Sequence, residues 1–224
     1  MWEHNKRFHL YILKPLIRIN GLYYWGAFSV ERNSNIWRNT ILNHRLPADI
    51  DKREVTAVLK KGHLELENGL VEKANEIVQR FTKDTRINFF PHKIDSSISN
   101  IGDVDVLAFI KDKNILLNIE SKIIDQVYAL KDLSRVQKRT FGRTKSDGTF
   151  EKGDLHKVEE RENYLKKEYA KVMSSLGWQQ NDQPPKIVSI FLTKMTYFWT
   201  KFPLNDTSVN FVEIRMLNEF ISTA

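Results

Sequence analysis

The apolar positions along the chain change their spacing several times, and each change predicts a different element. Two strand-like runs, 104–110 and 115–123, flank a short polar turn at 111–114. A turn of this length between two such runs predicts an antiparallel hairpin. A further apolar run at 186–193 has the length of a buried strand.

Helical spacing dominates three other stretches. Over 51–81, apolar side chains recur at three- and four-residue steps, which predicts one amphipathic helix. Segments 125–139 and 155–176 are also predicted helices, and Gly177 suits the residue that follows the second one. The remaining predicted elements are a strand at 86–94, a flexible basic loop at 140–153, and a strand at 210–216 before a short terminal helix. This order predicts an α/β fold in which a mixed central sheet is flanked by helices.

The first sixty residues have a different pattern, and we expect them to form a small β/α module. Asn20-Gly21 is a strong hairpin signal. The second strand of that hairpin is predicted over 22–30, and a short helix over 36–42. We therefore expect a basic N-terminal module at 1–60 and a core domain at 61–224, both as parts of a longer protein.

Composition excludes several classes of protein. The 224 residues include no cysteine, which rules out a disulfide framework, an iron–sulfur cluster and a cysteine nucleophile. Phosphate-loop, dinucleotide-binding and serine-esterase motifs are absent as well. The sequence has neither a membrane-length apolar window nor a secretory signal, so we expect a cytoplasmic protein without a membrane partner.

Charge favours a polyanionic partner. The chain has 35 Lys and Arg against 28 Asp and Glu, a net charge of +7. Residues 1–61 carry 11 basic and 5 acidic side chains, and residues 131–153 carry 7 and 3. The second segment is either a solvated loop or a clamp for phosphates, with Phe141 stacking on a base. Its candidate nucleic-acid contacts are Arg135, Lys138, Arg139, Arg143 and Lys145.

Charged side chains stand at or inside the strands of the predicted hairpin, where burial is costly unless they are paired or bind a cation. A turn centred between residues 112 and 113 pairs Asp105 with Glu120, and Asp103 with Lys122. Because side chains alternate along a strand, all four polar heads converge on one face at one end of the hairpin. Opposed carboxylates repel, and a divalent cation relieves that repulsion. The alternative is a solvated strand edge.

The same residues resemble a known motif. Asp105, followed after a hairpin by Glu120-Ser121-Lys122, resembles the Asp…Glu-x-Lys motif of the PD-(D/E)xK nuclease superfamily. The stretch 102–105, Gly-Asp-Val-Asp, is similar to the Gly-x-x-Asp form of its Holliday-junction-resolvase-like and Mrr-like branches. The resemblance covers residues 64–192 and implies a restriction-endonuclease-like core.

The resemblance also implies roles for individual residues. A Mg²⁺ ion, for which Mn²⁺ substitutes, would be held by Asp105, Glu120 and the backbone carbonyl of Ser121. Lys122 would position the attacking water, and Glu72, on the preceding helix, would assist through a water or a second metal. A solvated surface glutamate is the alternative interpretation of Glu72. The accessory candidates are Asp103 and His156.

Together these observations predict a Mg²⁺-dependent endonuclease that hydrolyses phosphodiester bonds in DNA, as one domain of a restriction, defence or repair protein. DNA is the expected partner, and a homodimer would suit cutting of both strands. One alternative is a non-catalytic nucleic-acid-binding module on the same fold. Another is a protein-interaction domain whose charge serves solubility. The carboxylates favour the enzyme, because a pure binder gains nothing from negative charge beside phosphate.

Overall fold

The structure, a computed structural model, describes residues 17–42, 53–98, 101–124, 130–195 and 207–224. The chain divides into two compact units, residues 1–66 and 67–224. The first residues of two predicted helices, 51–52 and 125–129, lie outside the described residues. None of the described helices is long and apolar enough to cross a membrane.

The described part of the first unit opens with a tight hairpin. Strands β1 (Ile17–Ile19) and β2 (Leu22–Tyr24) pair antiparallel around Asn20 and Gly21, whose φ angles are +50° and +79°. The hairpin predicted from Asn-Gly is therefore confirmed. The second strand is shorter than predicted, because the chain turns into helix α1 (Ala27–Leu42) soon after it. Helix α1 begins at Ala27, earlier than the helix predicted over 36–42.

The remaining elements follow in the order expected for the core, with two short strands added between residues 143 and 151. They are α2 (Arg53–Val78), β3 (Thr85–Phe89), β4 (Val104–Ile110), β5 (Ile115–Lys122), α3 (Leu130–Phe141), β6 (Arg143–Thr144), β7 (Phe150–Glu151), α4 (Asp154–Ser175), β8 (Lys186–Thr193), β9 (Asn210–Glu213) and α5 (Leu217–Thr223). Helix α2 begins in the first unit and ends in the second. Its predicted apolar stripe is buried at Leu70, Ala74 and Val78.

A five-stranded mixed sheet, ordered β3-β4-β5-β8-β9, forms the centre of the second unit. Strands β3, β4 and β5 are antiparallel, whereas β8 and β9 extend the sheet in parallel. The α/β class and the mixed sheet flanked by helices are therefore confirmed. In β4 and β5 the register runs from Val106 opposite Ile119 to Ile110 opposite Ile115, as a turn centred between 112 and 113 predicts.

Both faces of the central strands are buried, which explains their continuous apolar sequence. Leu107 and Ala108 point to opposite faces of β4, and both are fully buried. Helix α4 covers the face that carries Leu107, and its Leu165 belongs to the same apolar core. Asn118 of β5 also points to this face and donates to the Val158 carbonyl of α4 at 3.3 Å. Helix α4 therefore lies directly over the end of β5 that leads to Glu120.

The segment 140–153 is not the flexible loop that the sequence predicts. Helix α3 continues to Phe141, and strands β6 and β7 form a small hairpin before α4 begins. Phe141 is 8% exposed and packs with the buried residues Val136, Leu155 and Phe191. The prediction that Phe141 stacks on a base is therefore wrong, because its ring is part of the apolar core.

Two predicted strands are shorter than their sequence patterns suggest. Strand β3 ends at Phe89, because Pro91 starts a turn of 3-10 helix at Pro91–Lys93. Strand β9 ends at Glu213 and is followed by another 3-10 turn at Ile214–Met216. Neither change alters the order of the sheet.

Candidate active site

One end of the β4–β5 hairpin brings the two motif segments together. Next to the pair Val106–Ile119, the backbone N–H of Ser121 donates to Asp105 Oδ2 at 2.6 Å. Because antiparallel partners point to the same face, Asp105 and Glu120 both lie on the side covered by α4. The structure thus brings the predicted acidic residues together from adjacent strands.

Glu120 is buried, and its two oxygens contact two different cations. Oε1 lies 2.7 Å from Lys122 Nζ, and Oε2 lies 2.5 Å from Arg161 Nη2. The side chain of Lys122 is 23% exposed, whereas that of Arg161 is 2% exposed. Glu120 is therefore held between an accessible ammonium group and an inaccessible guanidinium group.

Arg161, on α4, is a site residue that the sequence does not predict. Its Nη1 donates to the backbone carbonyl of Asp103 at 2.5 Å, next to the bond from Nη2 to Glu120. The sequence offers one signal, because Arg161 falls on the apolar stripe of α4 between Val158 and Leu165. A basic side chain on a buried stripe needs a buried acidic partner.

The pKa of Asp105 is raised to about 7. Burial of the carboxyl group is the main cause, and the nearby charges of Glu120 and Asp103 act in the same direction. The Ser121 N–H and Lys122 oppose the shift without cancelling it. The charged form of Asp105 is therefore disfavoured in this site, mainly because the carboxyl group is removed from water.

The environment of Lys122 favours its charged form. Burial by itself lowers the pKa of the ammonium group, but Glu120, Asp105 and Asp154 together raise the pKa above its ordinary value. Asp154, the first residue of α4, is another contributor that the sequence does not predict. It also pairs with Arg139, whose Nε lies 3.4 Å from its Oδ2. Asp154 thus connects the end of α3 to the site.

The site therefore joins two carboxyl groups to an ammonium and a guanidinium group. Comparison with protein-family models, curated proteins and solved structures finds no significant match. What the site can do therefore follows from its own side chains.

The donor set suits a small divalent cation. Within the described ranges, no three His, Cys, Asp or Glu side chains are grouped to hold a metal ion. Mg²⁺, however, is commonly bound through one or two carboxylates and several waters, and it prefers oxygen ligands. Burial is the main cause of the raised pKa of Asp105, and a cation bound beside this carboxyl group would favour its charged form. Asp105 and Glu120 offer carboxylate oxygens of the kind that such an ion binds, and an ion there would compete with Lys122 for Oε1 of Glu120.

The other predicted catalytic residues lie in different surroundings. Asp103 is half-buried and contacts Arg161 through its backbone carbonyl. Glu72 is exposed on α2, and no hydrogen bond or ion pair described in the structure joins it to Asp105 or Glu120. His156 lies on the first turn of α4, where its ring packs 5.1 Å from that of Phe150.

The predicted nucleic-acid contacts lie along α3 and the β6–β7 hairpin, and together they are called the exposed basic surface. All five side chains are exposed: Arg135, Lys138, Arg139, Arg143 and Lys145. Arg143 also pairs with Glu151 of β7, with 2.7 Å between Nε and Oε2. Arg139 is the member that the structure links to the acidic site, through Asp154.

Proposed function

We propose that this chain is a Mg²⁺-dependent nuclease that hydrolyses phosphodiester bonds in DNA, on a restriction-endonuclease-like core. One observation carries the proposal: Asp105 lies next to Glu120-Ser121-Lys122 on the neighbouring antiparallel strand. The backbone N–H of Ser121 donates a hydrogen bond of 2.6 Å to Asp105. The mixed sheet flanked by helices is compatible with such a core. We assign the protein to the cytoplasm, as one domain of a restriction, defence or repair enzyme.

Asp105 and Glu120 would hold the ion, which when bound stabilises the charge that develops on the phosphate in the transition state. Lys122 is partly accessible and stays protonated near neutral pH because its pKa is raised. It therefore donates hydrogen bonds to the attacking water or to a phosphate oxygen, and it does not act as the base. The water attacks phosphorus in line with the leaving oxygen and gives its proton to bulk solvent as the new phosphorus–oxygen bond forms. The phosphorus–oxygen bond on the far side breaks, and the leaving oxygen takes a proton from solvent.

The exposed basic surface supports a nucleic-acid substrate. Arg139 pairs with Asp154, and the charge of Asp154 acts on Lys122. A DNA backbone that contacts α3 at Arg139 would therefore pass close to Lys122. Contacts of this kind bind phosphates without reading the base sequence. The surface therefore supports binding of DNA, with cleavage positioned by the hairpin.

The test is cleavage of supercoiled plasmid DNA with Mg²⁺, and with EDTA as the metal-free condition. We expect Glu120→Gln and Lys122→Met to lower the nicking rate by about 100-fold or more. The matched controls, Asp112→Asn and Lys111→Met, also neutralise one carboxylate and one lysine, but at the opposite, exposed end of the same hairpin. Equal nicking by all four variants, or no Mg²⁺-dependent nicking by the wild type, would contradict the proposal.

A second candidate is a nucleic-acid-binding module without catalysis. The observation that favours it is that both oxygens of Glu120 are paired with cations of the chain itself, so the site can be stable without a metal. Salt-sensitive binding of DNA with no cleavage under any divalent metal would select this candidate.

A further inference from the structure

We propose that Arg161 is a positioning residue that fixes the Glu120 carboxylate and the turn leading into β4. Its consequences for metal affinity rest on the proposed nuclease function, whereas the positioning itself does not. The side chain of Arg161 is 2% exposed and lies between α4 and the sheet. Burying its charge there costs free energy unless the charge is paired.

Packing alone does not require an arginine at this position. Helix α4 already contacts the sheet through the fully buried side chains of Val158 and Leu165. Replacing a buried ion pair by apolar side chains of similar volume is often neutral or stabilising. The charge of Arg161 is therefore explained by what it orients.

Arg161 joins three separate elements through one planar group. Nη2 contacts Glu120 of β5, and Nη1 contacts the carbonyl of Asp103, just before β4. The backbone at Gly102 passes close by, and a Cβ there would lie 3.3 Å from Nη1. A guanidinium group presents its donors in fixed directions, so it sets the distance between the turn and Glu120 in a way that a lysine cannot reproduce.

This arrangement gives the two oxygens of Glu120 different tasks. Arg161 occupies Oε2 on the buried side, and Oε1 is left in contact with Lys122 on the accessible side. Without Arg161 the Glu120 carboxylate would keep its contact with Lys122 alone, and the turn at Asp103 would lose its link to α4. The end of β5, where Ser121 bonds Asp105, would then open more often.

Amide hydrogen exchange tests the positioning without any metal or substrate. In Arg161→Met we expect the Ser121 N–H to exchange about tenfold faster than in the wild type. The amide of Ile190 in the neighbouring strand β8 should keep its wild-type exchange rate. Arg161→Lys should restore only part of the protection. The matched control is Arg215→Met, because Arg215 is 73% exposed and pairs with Glu213 at 2.7 Å.

A second variant keeps the test decisive if Arg161→Met does not fold. Gly102→Ala keeps the charge of Arg161, but its Cβ crowds Nη1 of Arg161 and the alanine must adopt a φ of +74°. We therefore expect the same local increase in the exchange rate of the Ser121 amide. An unchanged exchange rate at Ser121 in the variants that fold would overturn the proposal. An equal increase in exchange rate at every amide would also overturn it, because that result indicates general destabilisation.

Mn²⁺ titration by calorimetry separates the two proposals. If Asp105 and Glu120 hold a metal, Arg161→Met should weaken Mn²⁺ binding by about 10- to 100-fold, and Arg215→Met should not. Equal Mn²⁺ affinity in Arg161→Met and the wild type would overturn the positioning role. A wild type that neither binds Mn²⁺ nor cuts DNA would remove the nuclease proposal, and the exchange experiment would still decide the role of Arg161.

Discussion

The backbone N–H of Ser121 donates to the carboxyl group of Asp105, with 2.6 Å between the nitrogen and Oδ2. The bond ties the middle residue of Glu120-Ser121-Lys122 to the first acidic residue of the motif. By itself it favours the charged form of Asp105. Burial and the charge of Glu120 outweigh it and raise the pKa of Asp105 to about 7. Asp105 therefore lies where its own charge is unfavourable unless a cation is close.

The raised pKa predicts a pH-dependent effect of Asp105→Asn on stability. Because the folded protein holds this proton more tightly than the unfolded chain does, the wild type loses stability as pH rises from about 4 to about 7. The metal-free variant should thus unfold at a higher temperature than the wild type at pH 8, and at a similar temperature at pH 4. One pKa unit corresponds to about 1.4 kcal/mol, so the gain is at most about 4 kcal/mol.

Thermal unfolding at the two pH values, with and without Mn²⁺, measures this effect. Added Mn²⁺ should stabilise the wild type at pH 8 and leave Asp105→Asn unchanged. A variant that differs from the wild type by the same amount at pH 4 and pH 8 would show that Asp105 does not titrate in this range.

Alanine substitutions at two glycines should destabilise the fold by different amounts, because one is crowded and the other has a strained backbone. A Cβ at Gly153, whose φ is −90°, would lie 2.3 Å from the backbone nitrogen of Gly142. Gly177, just after α4, has a φ of +70° but open space around it. We expect Gly153→Ala to cost about 3 kcal/mol of unfolding free energy or more, and Gly177→Ala about 1 kcal/mol. Urea unfolding compares them, and equal costs would contradict the close approach at the base of the β6–β7 hairpin.

The basic surface predicts a salt dependence for DNA binding. Lys138 and Lys145 are exposed on this surface, and each alanine substitution should lower the slope of log affinity against log salt by about one. Lys186 is the matched control, because it is exposed at the far end of β8. Binding measured by fluorescence anisotropy at several salt concentrations gives the slopes. Equal slopes for all three variants would show that DNA does not contact this surface.

The hairpin could be predicted from the sequence because its determinants are local. The length of the turn and the two-residue period of a strand fix which residues are paired, and Val106 lies opposite Ile119 as expected. The Asn-Gly turn at residues 20–21 and the strand at 186–193 were recognisable for the same reason. In each case a few adjacent residues carry the information.

The features that the sequence did not predict depend on contacts between distant segments. Arg161 is 41 residues from Glu120 along the chain, and only the packing of α4 on the sheet brings them together. Phe141 is buried because α3 packs near α4, although its basic neighbours suggested an exposed ring. Strands β6 and β7 have two residues each, too few to show a period.

The most direct measurement is anomalous scattering from crystals of the wild type soaked in Mn²⁺. We expect a peak about 2.2 Å from carboxylate oxygens of both Asp105 and Glu120, with Lys122 moved away from Glu120 Oε1, and no peak in crystals of Asp105→Asn. A wild-type map with no peak at these carboxylates, and with Lys122 still in contact with Glu120, would contradict the metal-dependent nuclease.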